Sequence, residues 1–459
     1  MPDARCPMPD ARCPMPHARC KPVLSVAEGM PDTSLLASRS RDCYIPEKLT
    51  GLPDMIKFFS YFALIALLFS CSSSKTDIQK SQPVEKPLRV MSFNIEDVHT
   101  ADVLRSDNPR LKKVAAILQE LRPDVVLIKE VAYDQPGAPG FPDGSEAGLN
   151  GQRFADNYLA KSQGEGLAPL LYYSYMAPSN TGISSGFDLD RNGKVTTTYP
   201  VPAASSEDGK PPRQTPEGRA YGGDSWGFGT FPGQYAMALL VRNDFRILAN
   251  EVRTFQTLSW SSMPGALLPT VPESDSLWYS GDAGKQFRLS SKTHMDIPVE
   301  INGKVVHFLC SHPTPPAFDG PEARNKKRNH DEIRLWADYL NNETYVIDDN
   351  GKKGGLSGNA EFIILGDLNA DPEKGSSIND PIGNFLLNHP RVQGEYVPRQ
   401  MSVDGKPGSE KTASWGLRVD YVLPSTGFEI LDGGVHNYES DRDKLVSDHY
   451  PVWLDLKLK

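Results

Sequence analysis

Leu88-Arg89-Val90-Met91-Ser92-Phe93-Asn94-Ile95 alternates in polarity as a β-strand does, and Val125-Val126-Leu127-Ile128-Lys129-Glu130-Val131 is a short apolar run that ends in charge. Between them, residues 109–121 place Leu111, Val114, Ala115, Leu118 and Leu121 at helical spacing, and Pro123-Asp124 stops the helix. Strand, helix and buried strand in direct succession open an α/β domain. Similar apolar runs recur at 236–241, 305–309, 362–365 and 421–423, each followed at once by polar or turn residues. In α/β proteins the chemistry commonly sits at such strand ends.

Two of those ends are rich in functional groups. Phe362-Ile363-Ile364-Leu365 runs into Gly366-Asp367-Leu368-Asn369, and Ser447-Asp448-His449 runs into the apolar Tyr450-Pro451-Val452. An Asp-His pair at a strand edge joins a hard oxygen ligand to the side chain best suited to proton work near neutral pH.

The chain has 459 residues, with 39% hydrophobic and 23% charged, the balance of a globular protein able to bury a large core. A net charge of −9 argues against a strongly basic face for tight non-specific nucleic-acid binding, though not against a local patch. Cys6, Cys13, Cys20 and Cys43 crowd the front of the chain, and only Cys71 and Cys310 follow, so the main body has no disulfide framework. Cys310, in an apolar run, reads as a buried small hydrophobe.

The front is a different kind of sequence. Met-Pro-Asp-Ala-Arg-Cys-Pro occurs twice from Met1, followed by the variant Met-Pro-His-Ala-Arg-Cys-Lys, and recurrent proline rules out a helix. Residues 1–54 are expected to be a low-complexity extension without a core, or the product of a start codon assigned too far upstream. Met55 then opens a cation, a short apolar stretch and small residues, which is the grammar of a secretory signal over 55–71. Leu68-Phe69-Ser70-Cys71 resembles a bacterial lipobox, with Phe69 departing from the usual small or aliphatic residue. The resemblance implies lipidation at Cys71, a flexible tether over 72–87, and a place in the bacterial cell envelope facing outside the cytoplasm; plain secretion is the alternative.

Within the main body, 88–459, the stretch 133–233 is rich in Gly, Pro, Ser and Asp and reads as a long loop insertion beside the site. It contains Asp188, Asp190 and Asn192 before Gly193, the first half of an EF-hand-like loop, with Tyr199 where the closing glutamate would stand. Both a structural Ca²⁺ and a solvated Asp/Asn turn are open readings.

In chain order the polar groups are Asn94, Glu130, His312, Asp367, Asn369, Asp420, Asp448 and His449. The motifs Ser92-Phe93-Asn94-Ile95, Leu127-Ile128-Lys129-Glu130-Val131, Gly366-Asp367-Leu368-Asn369, Arg418-Val419-Asp420-Tyr421-Val422 and Ser447-Asp448-His449 together resemble the endonuclease/exonuclease/phosphatase (DNase I-like) superfamily. The resemblance implies a four-layer α-β-β-α sandwich of two mixed sheets. It implies Glu130 as the principal metal ligand, with Asn94 and Asp448 near the same Mg²⁺ or substituting Mn²⁺. Asp367 would orient or deprotonate the attacking water, and Asn369 would hold the phosphate. His449 would donate to the phosphate, and Asp420 would fix the His449 tautomer. His312 would be a further phosphate ligand. Gln234 stands near the position of a polar phosphate contact in several relatives, within a residue of alignment.

The function expected is metal-dependent hydrolysis of a phosphodiester or phosphomonoester by in-line attack of water. The partners expected are a nucleic acid, a phospholipid headgroup or a small phosphate ester, and a membrane through the lipid anchor; the chain is expected to be a monomer. The competing readings are a nuclease proper and a non-catalytic surface-binding lipoprotein on the same scaffold. Two polar runs, 291–296 and 324–331, and the residues Trp226, Trp260, Trp278 and Trp415 have no role legible in sequence; the second run reads either as a basic rim or as a solvated loop and helix start.

Overall fold

The computed structural model describes residues 86–401, 408–438 and 446–459. The readings for 1–54, for 55–71 with Cys71, and for 72–85 lie outside the described residues. Among the described residues, no helix is long and apolar enough to cross a membrane.

Twelve strands are described: β1 (Leu88–Val98), β2 (Val125–Val131), β3 (Tyr172–Met176), β4 (Met237–Arg242), β5 (Arg246–Ile247), β6 (Arg253–Thr254), β7 (Met295–Ile301), β8 (Lys304–Ser311), β9 (Glu361–Asp367), β10 (Asp420–Pro424), β11 (Phe428–Val435) and β12 (Val452–Leu458). They form two mixed sheets, ordered β11-β12-β1-β2-β4-β3 and β10-β9-β8-β7-β5, with β6 added beside β7. In each sheet one parallel pair, β1 with β2 or β8 with β9, is flanked by antiparallel neighbours.

Both faces of the central strands are buried, which explains their unbroken apolar runs. Val90, Val125, Leu127, Leu239, Ile297, Phe308, Ile363, Leu365, Val422 and Leu454 form one core between the sheets. The alternate residues Met91, Phe93, Val126 and Ile128 pack outward against the helix Pro109–Leu121, through Leu111, Val114 and Leu118. On the far side Phe362, Ile364 and Tyr421 pack with Ile333 and Trp336 of the helix Arg324–Leu340. This is the four-layer arrangement expected. Asn108 caps the first helix by accepting from Arg110 N and Leu111 N at 3.0 and 3.2 Å.

Three expectations change. The stretch 133–233 is not wholly loop: β3 within it is the edge strand of the first sheet, paired with β4. As an edge strand it leaves Tyr173 exposed, so it lacks the apolar run of a central strand. The run 324–331 is a helix start, as one reading had it, with Ile333, Leu335 and Trp336 packed behind it, but its second half is buried rather than solvated and forms no basic rim. Arg328 is buried and donates to the carbonyls of Leu289, Trp226 and Arg288, and Asn329 and Asp331 are buried beside it. Trp226 and Trp260 belong to the outer core, whereas Trp415 is exposed and lies edge-on to the His449 ring at 4.9 Å.

Gly366 shows how tightly the second sheet holds its chemistry. It pairs with Ser311 across β8 and β9, and a Cβ at Gly366 would stand 2.2 Å from the Ser311 carbonyl oxygen. Gly366→Ala is therefore expected to destabilise the fold by about 1–3 kcal/mol. It should also displace the adjacent Asp367, so that urea unfolding and turnover both fall; a variant as stable and active as the parent would refute the contact.

Candidate active site

The inner face of the sandwich changes character at one end. Along β1 it reads Val90, Ser92, Asn94; along β2, Val125, Leu127, Lys129; along β9, Ile363, Leu365, Asp367; and β10 begins at Asp420. The same alternation that fills the core with apolar side chains thus delivers polar ones to a common end. Glu130 and Asn369 have φ of 64° and 53°, left-handed values that turn the chain as it leaves β2 and β9. Register shifts on β1 between Asn94 and Val98, where Glu96 and Asp97 also have positive φ.

These bends bring the predicted residues together across the two sheets. Asn94 Nδ2 donates to Glu130 Oε1 at 3.0 Å and to Asp367 Oδ2 at 3.2 Å, so one amide joins the first sheet to the second. Its Oδ1 accepts from Glu96 N, and Asp97 N donates to Glu130 Oε2 at 3.1 Å. Ser447 Oγ donates to the Asn94 carbonyl at 2.7 Å and accepts from His449 N, pinning the Ser-Asp-His turn onto β1. His449 Nδ1 lies 2.7 Å from Asp420 Oδ2, and its Nε2 lies 3.4 Å from Asp367 Oδ2. His312 Nε2 is 3.5 Å from the same Asp367 oxygen, while its buried Nδ1 has no partner. Asn369 donates its backbone N–H to Asp367 Oδ1 and its Nδ2 to the Pro313 carbonyl at 3.1 Å. Asp448 is about half exposed and its charge bears on Glu130.

Three residues near this cluster escape sequence reasoning. Lys129 is fully buried, 2.8 Å from Asp420 Oδ1 and 2.6 Å from Ser92 Oγ, so Asp420 is shared between an ammonium and an imidazole. Tyr235, with φ of 60°, is a phenol whose pKa burial and then the charges of Asp97 and Glu130 push up. Gln234 instead supports Asp97, donating to its two oxygens at 2.9 and 3.0 Å. Lys292, from the polar run without a role, is buried beside Pro313. Alternation places Lys129 on the inner face of β2, but its partner Asp420, like those of Tyr235 and Lys292, is distant in sequence.

The environment sets the charge states. Burial pushes the Glu130 carboxyl up, Asp448 adds to it, and the value reaches about 7 despite the Asn94 hydrogen bond. Burial also raises Asp367, against the pull of His449. Burial works against the cationic form of His449, but Asp420 and Asp367 outweigh it and push the pKa up to about 10, so this ring is cationic at neutral pH. His312 goes the other way: burial, then the Lys292 and Lys129 ammoniums, hold it well below its ordinary value and neutral.

The chain matches the endonuclease/exonuclease/phosphatase family model over residues 91–449, a span that includes every group in this cluster. It belongs to that family. Family members are hydrolases of phosphate esters that typically use divalent metals, and membership supports a metal-dependent phosphoesterase in general. Solved structures with a similar fold include an endonuclease/exonuclease/phosphatase from Beutenbergia cavernae, 17% identical, covering 81% of this chain and 72% of that one, TM-score 0.42. Others are a mannosyl-6-phosphatase from Bacteroides thetaiotaomicron (14% identical, 81% and 100% covered, TM-score 0.38) and the human Nocturnin catalytic domain with a bound sulfate (13%, 81% and 95%, TM-score 0.40). Among curated proteins, no sequence matches the chain.

The donor set fits the hard divalent cation that the family uses. Glu130 and Asp448 are carboxylates whose mutual repulsion a cation would relieve. The Asn94 amide, as placed, holds Glu130 and Asp367 with its nitrogen, and its oxygen faces Glu96 N. Asp367, Asp420 and His449 also lie close enough to be read as a ligand group. Their closeness is explained by hydrogen bonding, since both Asp420 oxygens are taken by Lys129 and His449. A second acidic cluster joins Asp188 and Asp190 to Asp224, which sequence spacing could not supply. There Asn192 turns its Nδ2 to Asp190 and its Oδ1 to Lys194 N, and Asp224 accepts from Leu189 N and Thr196 N.

A cation held by Glu130 would require its ionised form, so metal affinity would be linked to pH. The folded pKa of Glu130 lies above its ordinary value, so the metal-free fold loses stability as pH rises through about 7, while cation binding gains. Calorimetric titration with Mn²⁺ or Mg²⁺ should show affinity rising about tenfold per pH unit below pH 7 and levelling above it. A flat profile from pH 5.5 to 8 would refute the assignment of Glu130.

Proposed function

We propose that the protein is a Mg²⁺-dependent phosphoric ester hydrolase, acting as a monomer in the bacterial cell envelope and held there by a lipid on Cys71. The observation that carries the chemistry is the buried Asp367 carboxylate, flanked by His449 at 3.4 Å and His312 at 3.5 Å and tied to Glu130 through Asn94. A bound divalent cation would supply charge neutralisation for the phosphoryl group. Asp367 orients water and takes its proton as the new P–O bond forms. His449, kept cationic by Asp420, donates through Nε2 to a phosphoryl oxygen as negative charge develops. Neutral His312 can donate or accept without adding charge. The P–O bond to the leaving alcohol breaks, and no covalent enzyme intermediate is required.

At Asp188, Asp190 and Asn192 the hydrogen bonds from Asn192 N and Gly193 N to both Asp188 oxygens support an Asp/Asn turn, and a structural Ca²⁺ is the alternative reading. A nuclease proper remains an outcome of the substrate test, with no observation here favouring it.

A panel of phosphomonoesters, phosphodiesters and nucleic acids, assayed with Mg²⁺, Mn²⁺ and Ca²⁺, tests the reaction class. Glu130→Ala should abolish the metal-dependent rate, and His449→Ala should lower kcat on the order of 10²–10³-fold with the fold intact. Near-normal turnover in either variant would sink that residue's role. Cys71→Ala is expected to move the protein from the membrane fraction to the soluble one; an unchanged distribution would refute the anchor.

A further inference from the structure

The two buried lysines at this site are differently satisfied. Lys129 is held by an ion pair with Asp420 and a hydrogen bond to Ser92. Lys292 is 6% exposed, yet among the described residues its ammonium makes one hydrogen bond, to the Pro313 carbonyl at 3.4 Å, and no ion pair with a carboxylate. An ammonium has three donors, and leaving two unused inside a protein is costly. Burial holds the Lys292 ammonium below its ordinary pKa, and Glu332, Glu130 and Asp367 offset this only from longer range.

The backbone holds this residue firmly. Ser291 N and Thr314 N both donate to the buried Glu332 carboxylate at 2.6 Å, clamping the loop before β7 against the segment after β8. Asn180 N donates to the Lys292 carbonyl at 3.1 Å. His294, two residues on, bridges Ser290 Oγ and the Glu332 carbonyl. The side chain therefore has a fixed origin. Its tip meets the carbonyl to which Asn369 Nδ2 also donates, one residue from His312, whose Nδ1 is buried without a partner. Lys292 is also the strongest charge acting on His312. The unused donors of Lys292 and the amide of Asn369 thus meet at the Pro313 carbonyl, next to Asp367, and the partner an ammonium lacks there is an anion.

We infer that Lys292 is a substrate-binding residue that contacts a non-bridging phosphoryl oxygen beside Asn369 and His312, and that it biases the site toward phosphomonoester dianions over phosphodiesters. The inference rests on the phosphoesterase reading above and names its substrate class. A monoester carries a second negative charge and a third non-bridging oxygen, and a fixed buried ammonium rewards both. One extra unit charge at ~5 Å in an effective dielectric near 20 corresponds to roughly 10²-fold in binding, and solvent access reduces this toward 10-fold.

The full-length protein and its Lys292→Gln and Lys292→Arg variants would be assayed with Mg²⁺ on p-nitrophenyl phosphate and on bis(p-nitrophenyl) phosphate. Binding of inorganic phosphate would be followed by calorimetry, with thermal unfolding to check the fold. The expected result is a kcat/KM for the monoester that falls about 10- to 100-fold more than that for the diester in Lys292→Gln, weaker phosphate binding, and partial recovery in Lys292→Arg. Equal losses on both substrates, or no loss, would overturn the inference while leaving the phosphoesterase reading standing. A wild-type protein without metal-dependent turnover on either ester would instead overturn that reading; the phosphate titration would then decide the anion site alone, and equal affinity in wild type and Lys292→Gln would reject it. Should Lys292→Gln fail to fold, Lys292→Met, which keeps the aliphatic stem, takes its place under the same criteria.

Discussion

Everything in this structure depends on burying both faces of the central strands. A strand whose two faces are dry must be apolar at every position until it leaves the core, and β2 and β9 obey this closely. The end of that constraint is where chemistry becomes affordable. Asn94, Lys129, Asp367 and Asp420 occupy the positions at which the inner-face alternation continues but the apolar filling stops. They remain buried, so their charges are strong, and they are close enough to neutralise one another.

The resulting electrostatics are arranged as a gradient of proton affinity. Asp420, despite burial, is held below the ordinary carboxylate range by Lys129 and His449, whereas Glu130 and Asp367 are pushed above it. Two histidines bordering the same Asp367 oxygen have opposite states, cationic at His449 and neutral at His312. The difference comes from their neighbours: carboxylates surround His449, while ammoniums lie near His312. Divergent environments for like groups are a means of assigning distinct roles within one pocket.

Much of this was legible in the residues. Apolar runs announced the central strands, and the polar punctuation after them announced the site, because both arise from local alternation. The limits are also physical. Tyr172–Met176 escaped notice as an edge strand because one of its faces meets solvent, leaving no run to detect. Arg328 reads as surface charge, and only three carbonyls from separate segments reveal why it is inside. Lys129 stands next to Glu130, yet its meaning depends on Asp420, and Lys292 depends on Pro313 and Asn369. Asp224 completes an acidic cluster begun at Asp188 from a position that no local spacing predicts. Function written in long-range pairs is invisible to any reading that proceeds along the chain.

The hydrogen bonds of Asn94 have a kinetic corollary. Its amide touches Glu130 on one sheet and Asp367 on the other, and Ser447 fastens the C-terminal turn to its carbonyl. The reactive constellation therefore does not exist within either sheet alone. It comes into being only when the two halves dock and the last strand closes onto the first. A chain that has formed its strands but not docked them would be compact yet chemically inert, so recovery of turnover during refolding would time the final docking step rather than the earlier collapse.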